Sequence, residues 1–282
     1  AWEPCNSGSF TKYNWQLPGG DGPKTVYAQL KDKVGNIATL QQSIILDTTP
    51  PQNGMIVIND GEPYTHDSNV SLTLSASDSS GVTGMRFSNN GKDFSTPEPY
   101  SPGPRNWPLD VSDEGDKTVY AQFQDGAGNW TTQEIKATIF YDNTPPNGSI
   151  VINGGEKYTN NAAVTLRLAV NDSRGAPVSR VRFSNDGSNY SVWEPFTMVK
   201  SWRLGRESEP GEKTVFVQFQ DIFNQVSTSR GYITLDLIPP QGAFIITSRT
   251  GKVLDNGSNP TNSTLVRLAN INVSDSLGRG QR

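Results

Sequence analysis

Aspartate is the residue type whose spacing in this sequence could support the binding of a metal ion. Three positions recur along the chain, the first as Asp47, Asp142 and Asp236, the second as Asp78, Asp172 and Asp275, and the third as Asp32, Asp125 and Asp221. Ca²⁺ prefers oxygen ligands such as carboxylates and takes about six to eight of them. The sequence therefore predicts one calcium site at Asp47, Asp78 and Asp125, and a second at Asp142, Asp172 and Asp221. The alternative is that each aspartate caps a turn by accepting hydrogen bonds from nearby backbone N–H groups.

Candidates for catalysis are few. The chain has one histidine, His66, and one cysteine, Cys5. These counts exclude a disulfide within the chain and a His/Cys zinc site, and His66 lies in a polar stretch without a nucleophile motif. Glu98 and Glu194 precede proline at repeated positions, whereas a catalytic carboxylate pair is not expected once in every module. We therefore expect no enzymatic activity, no catalytic residue and no cofactor-binding residue.

The charge balance restricts the partners. The formal net charge is −4, which argues against nonspecific nucleic-acid binding, because that requires a basic surface that displaces phosphate counterions. No apolar run approaches the length of roughly 18 residues that is typical of a membrane-spanning helix. We expect neither a nucleic-acid partner nor a membrane span.

Internal repeats organise the whole chain. The segment KTVYAQ at residues 24–29 recurs at residues 117–122 and, as KTVFVQ, at residues 213–218. A Pro-Pro pair follows the first aspartate position at residues 50–51, 145–146 and 239–240. The period of about 95 residues is longer than the 20–50 residues of a solenoid unit and matches a small sandwich domain. The Pro-Pro pairs indicate semi-rigid linkers, since two prolines favour extended backbone.

Within a repeat, short alternating segments predict strands. Apolar and polar residues alternate at 70–76, 119–123 and 164–170, and turn residues such as Asn90-Gly91 and Asp186-Gly187 separate these segments. No segment of about 12 residues has helical periodicity. About seven strands per repeat predict an all-β fold of tandem immunoglobulin-like antiparallel β-sandwiches, arranged end to end. The B–C loop, the F–G loop and the incoming linker share one pole of such a sandwich, so the aspartates of each set should converge there.

The linkers also predict the domains. Residues 49–142 and 143–237 are two complete immunoglobulin-like repeats. Residues 1–48 correspond to the C-terminal half of a repeat, and residues 238–282 correspond to the N-terminal half of another. Each half carries apolar runs, at residues 44–46 and 243–246, that a lone half sandwich would leave exposed. Head-to-tail contact between successive chains would cover them and would give a filament.

The combined motif, with D-x-T-P-P, I-x-I-N-x-G, M-R-F-S-N-x-G and G-x-K-T-V-Y-x-Q, resembles the bacterial Ig-like repeats of secreted and cell-surface proteins. The resemblance covers nearly the whole chain, although residues 253–264 depart from it. It implies a structural segment of an extracellular fibre, stalk or adhesin. The alternative is a set of accessory spacer or carbohydrate-binding modules beside a secreted enzyme. The expected partners are copies of the chain itself or flanking repeats, with surface polysaccharide as the other candidate.

Tryptophan bears on that choice, because exposed indole rings can stack on sugars. Trp15, Trp107 and Trp202 occupy one repeated position, each two residues before a leucine, and a repeated aromatic residue is typical of a core. We therefore expect these three to be core residues. Trp130 has no counterpart in the other repeats and is the better candidate for an exposed ring.

Overall fold

The computed structural model describes residues 14–170, 175–247, 252–254 and 265–274. Every regular element in these ranges is a β-strand, apart from two short 3₁₀ turns at Asn59–Gly61 and Asn153–Gly155. Among the described residues, no helix is long and apolar enough to cross a membrane. The chain divides into two compact units, Ala1–Asp142 and Asn143–Arg282. The all-β prediction is therefore confirmed.

The first unit begins with a lone hairpin. Strands β1 (Gly22–Lys31) and β2 (Ile37–Leu46) pair antiparallel along their whole length. Gly35 closes the turn with φ of 102°, a left-handed conformation that glycine adopts without steric penalty.

A complete sandwich follows the hairpin. Its strands are β3 (Gln52–Ile58), β4 (Tyr64–Thr65), β5 (Asn69–Ser77), β6 (Val82–Ser88), β7 (Glu98–Pro99), β8 (Arg105–Pro108), β9 (Gly115–Asp125) and β10 (Ile135–Tyr141). One sheet has the order β4-β10-β9-β6-β7, and the other has the order β3-β5-β8. All pairings are antiparallel except β4 with β10, which is a short parallel pair. The sandwich thus has eight strands, two of them only two residues long.

The second unit repeats this topology. Its strands are β11 (Gly148–Ile152), β12 (Tyr158–Thr159), β13 (Ala163–Val170), β14 (Val178–Ser184), β15 (Glu194–Pro195), β16 (Val199–Arg203), β17 (Gly211–Asp221) and β18 (Val226–Leu235). The sheets have the orders β12-β18-β17-β14-β15 and β11-β13-β16. A last antiparallel hairpin follows, formed by β19 (Gln241–Thr247) and β20 (Arg267–Ser274).

Each sandwich has its own core, built from the alternate residues that the sequence pattern indicates. The buried residues predicted for the first core are Leu72, Leu74, Phe87, Val119 and Ala121, and those for the second are Leu166, Leu168, Phe183, Val215 and Val217. Burial of these apolar side chains is worth roughly 25 cal/mol per Å². The two cores explain why each repeat forms a separate sandwich.

The tryptophan prediction is wrong in detail. Trp107 and Trp202 lie on the edge strands β8 and β16, where they are half-buried and not core residues. Each ring packs on the core phenylalanine, and each indole Nε1 donates a hydrogen bond to the side-chain oxygen of Asn89 or Asn185. The polar N–H needs that partner, which keeps one side of the ring at the surface. Trp15 is 70% exposed.

Candidate metal centre

The structure brings together the three aspartates of the first predicted site. One carboxylate oxygen from each of Asp47, Asp78 and Asp125 lies within 4.8 Å of the others. Asp47 comes from the linker after β2, Asp78 from the loop after β5, and Asp125 from the end of β9. The convergence at one pole follows from the topology, since the loop after β5, the turn after β9 and the incoming linker meet there.

Asp125 is the most deeply buried of the three, with 2% of its surface exposed. Its Oδ1 accepts backbone N–H bonds from Ala127 at 2.9 Å and from Asn129 at 2.8 Å, and its Oδ2 accepts the Asn129 amide at 2.8 Å. Burial acts to raise the pKa of Asp125, but hydrogen bonds from Asn129 and the neighbouring backbone outweigh it and leave the pKa below its ordinary value. The site therefore holds Asp125 in its ionised form.

Asp78 and Asp47 each use one oxygen to cap a turn. Asp78 Oδ1 accepts the N–H and the hydroxyl of Ser80, both at 2.8 Å. Asp47 Oδ1 accepts the N–H of Thr49 at 3.1 Å. The turn-capping hypothesis therefore describes part of what these residues do.

The second oxygen of Asp47 is not explained by turn capping. Oδ2 of Asp47 is buried and has no hydrogen-bond partner among the described residues. A buried carboxylate oxygen without a partner is unfavourable, because it has lost its water and gained nothing in return. An ion at this position would supply the missing interaction.

The three carboxylates of the cluster lack an ion-pair partner within the part of the chain that the structure describes. Within the described ranges, no lysine, arginine or histidine forms an ion pair with any of the three carboxylates. Oxygens that share one Ca²⁺ at about 2.3–2.6 Å can be at most about 5 Å apart, and the 4.8 Å limit satisfies that condition. The donor set and its spacing therefore fit Ca²⁺, with carbonyl groups or water as the remaining ligands.

The described residues do not test the second predicted site. Asp172 lies outside the described residues, and Asp142 and Asp221 belong to different units. Asp142 and Asp221 are each 1% exposed. Asp221 Oδ1 accepts the N–H groups of Phe223 and Gln225, which reproduces the turn at Asp125. The second calcium site stays a prediction.

Asn129 is a residue whose role the sequence reasoning missed. Besides Asp125, its amide donates to the backbone carbonyl of Asp47 at 3.1 Å, so it joins the linker to the turn after β9. The recurrence of aspartate with asparagine four residues later, at Asp32 and Asn36, was the signal available. Asp32 accepts the same three hydrogen bonds, and these, led by the Asn36 amide, lower its pKa.

Trp130 is not the exposed platform that its isolated position suggested. It is half-buried, and the guanidinium of Arg86 lies 4.3 Å from its ring centroid. In the second sandwich Arg182 lies 4.4 Å from the ring of Trp193, a residue from another part of the repeat. Both arginines also donate to a glutamine of the adjacent strand. A cation–π contact is thus a repeated part of each sheet surface.

Comparison with known proteins finds similarity in solved structures only. No family model matches the chain, and no curated protein matches it. One similar structure is a tetra-tandem repeat in the extending region of a large adhesion protein, with 18% identity over 83% of this chain and 69% of that chain and a TM-score of 0.27.

Two further structures come from adhesins. A 1.5-MDa bacterial ice-binding adhesin has 14% identity over 72% of this chain and 70% of that chain, with a TM-score of 0.45. A Ca²⁺-stabilized adhesin with which an Antarctic bacterium binds ice has 14% identity over 80% of this chain and 60% of that chain, with a TM-score of 0.38. At these identities and TM-scores the similarity argues neither for a shared function nor for a shared ligand.

Proposed function

We propose that this chain is a structural segment of an extracellular fibre, stalk or adhesin, in which Ca²⁺ stiffens a linker between repeats. The observation that carries the proposal is the linker carboxylate of Asp47, which meets Asp78 and Asp125 of the following sandwich. A linker side chain in a shared ion site restrains the angle between consecutive repeats. A protein whose role is reach and stiffness needs that restraint.

The linker is also held by direct hydrogen bonds. On one side, the carboxylate of Asp21 accepts the Thr48 N–H at 2.9 Å, the Thr48 hydroxyl at 2.7 Å and the Thr49 hydroxyl. On the other side, Asn129 donates to the carbonyl of Asp47. The Pro50-Pro51 pair that follows favours extended backbone. Protein contacts alone therefore restrain the linker in part, and an ion would complete the restraint.

Bound calcium would also stabilise the folded sandwich against unfolding. An ion that binds the folded sandwich and not the unfolded chain stabilises the fold by RT ln(1 + [L]/Kd), which is about 2.7 kcal/mol at 100 times the Kd. The three carboxylates supply the negative charge, and the capping bonds at Asp78 and Asp125 hold two of them in place.

Calorimetric titration with Ca²⁺ and small-angle scattering with Ca²⁺ or with EDTA test the proposal. We expect heat of binding and a narrower distribution of interdomain distances with Ca²⁺. Asp78→Asn should weaken binding strongly. Asp60→Asn is the matched control, because Asp60 is an exposed aspartate of the same sandwich outside the cluster. Scattering curves that coincide in Ca²⁺ and EDTA would overturn the calcium role.

No observation favours the accessory, carbohydrate-binding function over this one. The ring of Trp130 faces Arg86, and Trp107 packs on Phe87. These two rings therefore have partners within the protein, and we propose no polysaccharide site on them.

A further inference from the structure

Strand β16 of the second sandwich lies at the edge of its sheet. In the order β11-β13-β16 it pairs, among the described residues, with β13 alone. The phase of this ladder is fixed by two backbone hydrogen bonds that flank the strand, from Leu168 to Met198 and from Leu204 to Ala162. Because bonded and non-bonded pairs alternate along an antiparallel ladder, Val199, Ser201 and Arg203 direct their N–H and C=O groups away from β13. We name these three residues the open edge.

The matching edge of the first sandwich is protected by proline. Counted from the repeated tryptophan of each strand, Pro104 and Pro108 stand in the places of Val199 and Arg203. Proline has no N–H to donate, and it is one of the features by which natural sheets prevent pairing at an exposed edge. Strand β16 reads VKSWR and contains no proline. The second sandwich therefore lacks a protection that the first one has.

Apolar side chains accompany the open edge. Val192, Met198 and Val199 are 84%, 72% and 52% exposed. The first sandwich has a threonine and two prolines in these three places. Exposed apolar side chains beside unpaired backbone groups are features of a strand to which another strand can be added. The difference between the two sandwiches thus marks β16 as an interaction surface.

We infer that β16 pairs antiparallel with β16 of a second copy, about a two-fold axis at Ser201. In this register Ser201 is opposite Ser201 of the second copy, Val199 is opposite Arg203, and each such pair exchanges two backbone hydrogen bonds. The carbonyls of Val199 and Arg203 already accept one side-chain bond each, from Thr197 and Asn185, and the other lone pair of each can accept from the second copy. The contact uses the same surface on both copies and therefore closes into a dimer.

The side chains of β16 complement one another in this register, which is why we assign a second copy as the partner. Val199 is opposite Arg203, whose guanidinium is already paired with Glu207. Lys200 is opposite Trp202, and a cation beside an indole ring is favourable. No two like charges are directly opposite, an arrangement that would be destabilising. The inference goes beyond the proposed structural role, because it adds sideways pairing of chains, and it does not depend on calcium, whose cluster belongs to the first sandwich.

Sedimentation velocity of the full chain, from micromolar to millimolar concentration, tests the inference. The wild type should form dimers as its concentration rises. Val199→Pro combined with Arg203→Pro copies the first sandwich and removes the outward N–H groups without breaking a bond to β13. The dimer should then weaken by roughly a hundredfold or more. The matched control, Val199→Thr combined with Arg203→Thr, keeps both N–H groups and should dimerise nearly as well as the wild type.

Cysteine crosslinking tests the register. Ser201→Cys, in a chain with Cys5→Ser, should give a covalent dimer on mild oxidation, because the Cα atoms of a directly opposed bonded pair are about 5.5 Å apart, which suits a disulfide. Thr165→Cys is the matched control, since Thr165 is the exposed neighbour of Ser201 on β13, and it should not crosslink.

Thermal melting checks that the proline variant folds, and the crosslink keeps the test decisive if it does not. A wild type that is monomeric at every concentration would overturn the inference. Dimers that the folded proline variant forms as readily as the wild type would also overturn it. So would dimers that Ser201→Cys does not crosslink, or crosslinking that is equal at positions 201 and 165.

Discussion

Neutralising Asp47 should have opposite effects on stability with and without calcium. In Asp47→Asn the amide oxygen can still accept the Thr49 N–H, so the turn cap is kept. The change removes one of three negative charges that lie within 4.8 Å of one another. The variant therefore separates ion binding from turn capping.

The magnitude follows from Coulomb's law. Two unit charges at 4.8 Å, the upper limit of the oxygen separations in the cluster, repel by about 1 kcal/mol in water and by about 3.5 kcal/mol at an effective dielectric constant of about 20. Asp47 and Asp78 are partly exposed, so the lower value applies. Because Asp47 faces two other carboxylates, Asp47→Asn should stabilise the metal-free sandwich by about 1–2 kcal/mol. For a domain of this size, each kcal/mol of added stability raises the Tm by roughly 4–8 °C.

In the presence of Ca²⁺ the wild type should be more stable than Asp47→Asn, which is the opposite of the metal-free order. The wild type should gain stability with added Ca²⁺, and Asp47→Asn should gain much less because one ligand is lost. Differential scanning calorimetry in EDTA and in Ca²⁺ measures the stability of the wild type and of the variant in each condition. The melting of the second sandwich should not respond to the substitution. Equal destabilisation in the two buffers would refute the reasoning, since it would assign Asp47 a purely structural role.

Three further predictions concern the sandwiches. Gly148→Ala should destabilise the second sandwich by about 1–3 kcal/mol, because a Cβ atom would overlap the ring of Phe219, whose Cζ lies only 2.6 Å away. Chemical denaturation measures this loss. The control in the same series is Gly19→Ala, whose added Cβ meets no atom within 4 Å. Trp107→Ala should cost about 2 kcal/mol, below the 3–5 kcal/mol of a core aromatic residue, since its ring is half-buried; a loss as large as that of Phe87→Ala would contradict this. The lowered pKa of Asp125 should stabilise the metal-free fold above pH 3.8, the pKa of this group in the unfolded chain. This stabilisation should disappear as the pH falls through the folded-state pKa. When the free energy of unfolding is measured against pH, Asp125→Asn should lack this acid-dependent loss.

The sequence alone determined the repeat, the strands and most of both cores. Alternation places Leu72, Leu74 and Val119 on inward faces, and the structure buries all three. Such patterns are local, since each strand residue points to one of two sides. The convergence of Asp47, Asp78 and Asp125 was also predictable, because it follows from which loops share a pole of the sandwich.

Only the tertiary structure decided how side chains at the edges and the surface are used. Alternation could not show that Trp107 lies on an edge strand, where its indole bonds to Asn89. It could not show that Trp130 and Trp193, from unrelated sequence positions, reach the same arginine site in the two sandwiches. The physical reason is that these contacts join residues of different strands and loops. Their partners depend on strand order and sheet packing, which a local pattern does not encode.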